Sequence, residues 1–387
     1  MKKIFVLSIL TYLLFIINSG ATAQNTSENK KELKIGVLLP LSGEFEVTGQ
    51  SFLKAIQLAL YDLSDANIKI YPKDSKANVL DTYLAAKEFE KMGIKIVIGP
   101  IFHKNLERLN EINNITFISL TNVTKQIPKN TIAFGINVNS QIEALQKYFK
   151  EINVKKTILL SPKNKFTNQI ELIESSQLKL YDVFFYDTSP KKITSEIEKL
   201  TKYRERKNDL ERRIKILEKS DLYKDKQELK ILEQRHTLGR VNFDSVIVVD
   251  FGERLKSVLA SFMFSDISTE TVNFFTLNQW FDKSLFGESS LQNLHFPGID
   301  INNLEKFKKK YFNTYSENPI EVSILAYDAL GLIYYCWINN KSDFKPSQLY
   351  NKSGFKGLHG EFVIVENSSK QKLKIYKIYK KKFVKVY

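Results

Sequence analysis

The sequence has few of the residues that most often carry chemistry. It has one cysteine, Cys336. No intramolecular disulfide can form, and packing must hold the fold. In its apolar helical surroundings this thiol reads as a small core residue. The four histidines (His103, His236, His295 and His359) are scattered, and none stands in a metal-binding spacing such as H-E-x-x-H. The G-x-S-x-G elbow of a serine hydrolase and the G-x-x-x-x-G-K phosphate loop are both absent. These absences argue against an enzyme, and the residues imply no cofactor. Beyond the N-terminus no apolar run reads as long enough to span a membrane.

The N-terminus has its own pattern. Lys2 and Lys3 precede an apolar run over residues 4–17, and Ala21-Thr22-Ala23 is a small-x-small cleavage signal. Residues 1–23 therefore read as a secretory signal peptide cut before Gln24, with the mature chain exported. No cysteine lies near the cut, so a lipid anchor is not expected. Residues 24–32 read as a disordered leader. The net charge of +15 would suit nucleic acid, but export routes the chain away from it. An acidic partner, an anionic membrane surface or a cell-wall polymer suits the charge better. The bland alternative is a solvated, lysine-rich surface.

The remaining ~360 residues suggest two domains. Apolar strand patterns (residues 33–39, 67–71, 94–98, 115–119 and 132–136) alternate with helical ones (52–63, 79–92 and 104–112). The alternation restarts at residue 141, with strands at 157–160, 181–186, 245–249 and 274–277. Fully apolar strands between helices mean parallel sheets covered on both faces. Two rounds mean two α/β lobes. Gly49-Gln50-Ser51 reads as a turn before the first helix. The tail alternates as a β-meander on a sheet edge.

Residues 192–238 interrupt the second round. About half of them are charged, and none is Pro or Gly. Apolar residues recur at helical spacing from Ile193 to Leu217 and again from Leu222 to Leu232. The segment reads as a long helix and a shorter one folded back on it, broken near Ser220-Asp221, where Asp can cap a new helix. Such an αα-hairpin either covers its lobe or projects as an arm for a protein partner.

Three segments resemble one family. Residues 34–43 (KIGVLLPLSG), followed by Gly49-Gln50-Ser51 and a helix ending at Asp62, are similar to the opening of leucine-binding-protein-like receptors. Val97-Ile98-Gly99-Pro100 is similar to their third strand and turn. Residues 319–332, with Gly357-x-x-Gly360-x-Phe362 after them, are similar to their late helix and closing hairpin. The charged insertion leading into residues 242–255 resembles the penicillin-binding-protein activator branch of Gram-negative bacteria. The resemblance implies the type I periplasmic-binding-protein fold: two Rossmann-like lobes of parallel sheet joined by a three-segment hinge, plus a helical-hairpin insertion. Lobe 1 would hold residues 33–136 and 299–340, and lobe 2 residues 137–298 and 341–387. It also implies the periplasm and a ligand cleft between the lobes.

Ligands of open parallel sheets lie beyond the carboxyl ends of the strands. That rule places Ser42, Phe102, His103, Ser119, Thr121, Asn122, Lys165, Phe166 and Asp250 at the cleft. An amino-acid ligand needs hydroxyls and N–H groups for its carboxylate and an acid for its ammonium. Ser119, Thr121 and Asn122 partly meet the first need. Asp250 could meet the second, or could instead cap the next helix. Phe102, His103, Lys165 and Phe166 depart from the small, hydroxyl and Tyr-Gly residues that the resemblance implies. A repurposed cleft is therefore expected, with a cell-wall synthase docked by the 192–238 arm. The alternative is a receptor that carries amino acids or similar small polar solutes to an ABC permease.

Overall fold

The leucine- and isoleucine-rich runs form the inner strands of two sheets. The computed structural model describes residues 31–163, 165–174, 176–277 and 287–387. The expected signal peptide lies outside the described residues. In the first sheet, β1 (Leu33–Leu39) lies between β2 (Ile68–Asp74) and β3 (Ile96–Ile98), followed by β4 (Thr116–Ser119) and β5 (Thr131–Ala133), all parallel. Ile35, Val37, Leu39, Ile96, Val97 and Ile98 are almost wholly buried, as strands covered on both faces must be. The second sheet orders β7 (Leu180–Tyr186), β6 (Thr157–Pro162), β8 (Ser245–Val248), β9 (Asn273–Thr276) and β10 (His295–Gly298), again parallel.

Helix α1 (Glu46–Leu63) covers the first sheet together with α2 (Val79–Lys91). The Gly49-Gln50-Ser51 motif lies inside α1, not in a turn before it. A Cβ on Gly49 would sit 1.8 Å from the Pro40 carbonyl oxygen, so only glycine lets the helix approach the end of β1. The buried Ser51 hydroxyl accepts the Ile320 N–H at 2.8 Å, which ties α1 to a distant segment. The helix expected over residues 104–112 is instead two short 3₁₀ turns, His103–Leu106 and Leu109–Glu111.

The chain leaves the first sheet after β5 for α3 (Val138–Glu151) and the second sheet. That sheet carries α4 (Thr167–Glu174), α5 (Pro190–Leu200), α6 (Tyr203–Leu217), α7 (Tyr223–Leu232) and α8 (Gly252–Phe264). After β10 it returns through α9 (Ile301–Tyr315) and α10 (Ile324–Ile338), which pack on α1. Residues 321–338 are, against expectation, long and apolar enough to cross a membrane by length and composition. Here they form a core helix, 61% buried. Cys336 lies within it, and burial pushes its thiol up to about 11.

The tail departs from the expected division. Residues 341–387 are expected in lobe 2, but β11 (Phe355–Lys356), β12 (Glu361–Val365) and β13 (Ser368–Gln371) extend the first sheet antiparallel to one another, and β13 pairs with β5. Only β14 (Lys374–Tyr379) and β15 (Lys382–Lys385) join the second sheet, beside β10. The third crossing therefore falls at Lys372-Leu373. Alternation marks a strand but does not say which sheet it joins. Side chains lock this crossing to the first: Gln371 Nε2 donates to the Gly135 carbonyl at 3.0 Å, and Asn137 Nδ2 donates to the Ser369 carbonyl at 2.5 Å.

The single long helix expected from residue 192 is two helices. Ile193 and Ile197 of α5 are buried, and α5 packs against α8 as an ordinary lobe helix. Thr201 Oγ1 donates back to the Ile197 carbonyl at 2.8 Å, and Lys202 turns left-handed at φ 51°. The hairpin proper is α6 and α7. Leu222 is the residue before α7, and it makes no side-chain cap, so Asp221 does not cap that helix.

Candidate functional site: the interlobe cleft and the helical arm

In the first lobe, the carboxyl ends of β1, β3 and β4 carry most of the expected site residues. Ser42 Oγ donates to Asp74 Oδ2 at 2.5 Å, and Asp74 Oδ1 accepts the Leu41 N–H at 2.7 Å. Asp74 thus holds the β1–α1 loop. Ser119 is fully buried, and its hydroxyl donates to the Pro100 carbonyl at 2.8 Å. Thr121 is buried as well, and its Oγ1 accepts the Val123 N–H at 3.2 Å. Both hydroxyls therefore brace the loops that carry them. Asn122 is exposed. Phe102 packs on Phe45 with ring centroids 4.7 Å apart. His103 Nε2 lies 2.8 Å from the Lys125 carbonyl.

The second lobe contributes Lys165, Phe166 and Asp250. Lys165 is exposed, and Phe166 meets Phe251 edge to face at 5.1 Å. Asp250 is fully buried at the end of β8. Its carboxylate accepts Arg254 Nη2 at 2.8 Å, the Phe251 N–H at 2.8 Å and the Tyr186 hydroxyl at 2.5 Å. Burial, reinforced by the hydrogen bond to Asp250, holds the Tyr186 phenol far above its usual range. The same carboxylate raises Arg254. A ligand ammonium at Asp250 would have to displace Arg254 from a fully buried carboxylate that is already satisfied by protein donors. Tyr186 was not among the sequence candidates. Arg254 could have been found from its i, i+4 spacing to Asp250.

An ion pair crosses between the lobes at this level. Lys125, on the loop after β4, forms an ion pair with Glu171 on α4. Together with His103 this builds a chain from the first lobe's turn to a helix of the second. The strand ends thus present two aromatic pairs, Phe45–Phe102 and Phe166–Phe251, while Ser42, Ser119, Thr121 and Asp250 already have protein partners.

The arm stands apart from the main core. Leu210, Leu217 and Leu232 form a separate small cluster with Ile214, Leu229 and Leu238. Arg213 holds Glu228 in a two-pronged pair at 2.9 and 2.8 Å across the hairpin. The root is Arg206, 7% exposed, whose guanidinium donates to the Thr201 carbonyl at 3.0 Å, Thr237 Oγ1 at 2.8 Å and the Ser265 carbonyl at 2.6 Å. The Leu238 N–H closes the base on the Arg206 carbonyl at 3.0 Å. Ile216, Leu222, Tyr223 and Ile231 are 60%, 67%, 77% and 56% exposed. These are four exposed large apolar side chains on one small hairpin.

Two α/β lobes, each built on a mostly parallel sheet and joined by three crossings, define the type I periplasmic-binding-protein fold. Residues 32–180 match the sequence model of the periplasmic binding protein family. That match ends at residue 180; over the rest of the chain the likeness is one of fold. It is 24% identical over 199 residues to the uncharacterized protein RP748 of Rickettsia prowazekii, an alignment spanning 48% of this chain and 52% of that relative. The chain therefore spans about half the length of the curated relative it matches. Among solved structures it resembles a putative branched-chain amino acid ABC transporter protein from Rhodospirillum rubrum, with TM-score 0.69 and 11% identity, over 92% of this chain and 100% of that one. It also resembles LpoA of Haemophilus influenzae. The C-domain, a regulator of PBP1A, gives TM-score 0.60 at 14% identity over 92% of this chain and 100% of that domain. Full-length LpoA gives TM-score 0.62, with 59% of its length covered.

Proposed function

We propose that this chain is an exported periplasmic protein that regulates cell-wall synthesis without catalysis, docking a penicillin-binding-protein synthase through the α6–α7 arm. The observation that carries this reading is the arm itself. It is rooted by a buried arginine, has its own small core, and exposes Ile216, Leu222, Tyr223 and Ile231. Aromatic and aliphatic anchors on a rigid element suit a protein interface. The cleft supports the same reading from the other side, because Ser119 and Asp250 are engaged with protein partners. The fold likeness to LpoA, a regulator of PBP1A, adds to it.

The test replaces residues 208–235 with a short Gly-Ser link, which the closeness of Arg206 and Leu238 allows. Binding to a purified bifunctional synthase is then read by interferometry. Loss of binding with an unchanged circular-dichroism melt is the expected result. Binding that survives the deletion would remove the arm from the interface.

The second reading is a receptor for an amino acid or similar small solute that delivers to an ABC permease. The aromatic pairs Phe45–Phe102 and Phe166–Phe251 favour it, as walls for an apolar ligand. A ligand at 100 times its dissociation constant stabilises by about 2.7 kcal/mol. A clear thermal shift with leucine or isoleucine would therefore support this reading over the first.

A further inference from the structure

We infer that a basic groove on the hinge, outside the interlobe cleft, binds a small multivalent anion bearing clustered phosphate or carboxylate groups and ties the two lobes together. Two adjoining cavities of about 770 and 710 Å³ share Lys356, Glu361, Lys370 and Lys372, so they form one continuous groove. Each volume lies within the range of ordinary small-molecule sites. Seven lysines line the groove against four carboxylates, one of which, Asp328, is buried under the loop at residues 357–359.

The pairing within the groove leaves cationic charge in excess. Lys370 and Lys147 share Glu143 at 2.7 and 2.9 Å, Lys372 reaches Glu361 at 3.1 Å, and Lys374 pairs with Asp300. Lys352, Lys356 and Lys385 are exposed and form no ion pair among the described residues. The wall also holds a polar atom without a partner. Buried His359 meets Asp328 through Nδ1 at 2.5 Å, while its Nε2 has no hydrogen-bond partner among the described residues. That nitrogen is itself shut off from solvent, so the exposed lysines and not this imidazole would contact the anion.

The location gives the groove a consequence for motion. Lys356 on β11 and Lys370 on β13 belong to the first sheet, while Lys374 on β14 and Lys385 on β15 belong to the second. Ser140, Asp300 and Lys372, one beside each crossing, also line it. An anion neutralising lysines from both sheets bridges the lobes at their hinge, where a small change in spacing accompanies any opening.

The experiment is calorimetric titration of the full chain at low ionic strength with tripolyphosphate, citrate and inorganic phosphate. The expected result is saturable one-to-one binding of tripolyphosphate or citrate, with inorganic phosphate much weaker. The stronger of the two multivalent anions identifies the phosphate or the carboxylate source. The double variant Lys356→Gln/Lys385→Gln disturbs no ion pair and should weaken binding about fourfold, roughly a factor of two for each exposed contact. Lys95→Gln/Lys129→Gln, two exposed lysines elsewhere on the first lobe, should leave it unchanged. Absence of saturable binding by either multivalent anion overturns the inference. So does equal weakening by both double variants, which would reduce the effect to diffuse charge. Removal of residues 208–235 should not alter the titration, so this site and the arm stand or fall separately.

Discussion

Arg206→Ala should loosen the arm while leaving the lobes folded. The guanidinium is nearly buried and makes three donor contacts between 2.6 and 3.0 Å, to Thr201, Thr237 and Ser265. Burial lowers its pKa, with Asp266 acting in opposition, so the cation is held there at a desolvation cost that these acceptors offset. A hydrogen bond to a charged group contributes about 1.5–3 kcal/mol. Water can enter the vacated space, so the three losses will not add in full, and a net cost of about 3 kcal/mol is expected. The small Leu210–Leu217–Leu232 cluster gives the hairpin little reserve, because short helices in water depend on packing. The opening should therefore be local. Hydrogen exchange by mass spectrometry should show α6 and α7 amides losing about a hundredfold in protection, the factor that corresponds to roughly 3 kcal/mol. Amides of β6 and β8 should keep theirs. Arg206→Lys should not restore the arm, since an ammonium lacks the planar fork that reaches three acceptors. Unchanged arm amides, or arm and core amides shifting together, would refute the anchoring role.

Three further outcomes follow from the packing. Gly49→Ala places a Cβ 1.8 Å from the Pro40 carbonyl, so the chain should lose several kcal/mol of stability, measured by urea melting; a loss below 1 kcal/mol would contradict the close approach. His295 is buried beside Phe275 and Tyr148, and burial lowers its pKa to about 4. The unfolded chain, with an ordinary value near 6.5, binds the proton more readily, so this group's stability is present above about 6.5 and is lost as pH falls toward 4. The loss amounts to about 3 kcal/mol at most, and His295→Phe should flatten the stability profile over that window. Lys125→Glu sets two acids against each other across the lobes and should raise the radius of gyration in solution scattering. Adding Glu171→Lys should reverse the change, and no recovery would mean that this pair does not bridge the lobes in solution.

Much of the architecture could be read from local pattern. Fully apolar strands alternating with helices at residues 33–136 and again from residue 141 already demanded two helix-covered parallel sheets, because such strands must be buried on both faces. The Gly-free, Pro-free, charged stretch at 192–238 announced a helical insertion by period and composition alone. Its internal break was hidden, because apolar residues keep helical spacing straight through Thr201 and Lys202.

What remained for the tertiary structure was the choice of partner. Alternation in the tail showed strands, but only pairing with β5 sent residues 368–371 to the first sheet and residues 374–379 to the second. Asp250 stood where an ammonium could be held. Its meaning changed when folding brought in Tyr186 from β7, two strands away, and Arg254 from the first turn of the helix that follows. The lysines of the hinge groove come from α3, β11, β13, β14, β15 and the loops beside them, as much as 238 residues apart, such as Lys147 and Lys385. Sequence periodicity reports which face of an element is buried. Which charges and hydroxyls are consumed by partners, and which are left to act, depends on contacts between distant segments, and that only the folded chain decides.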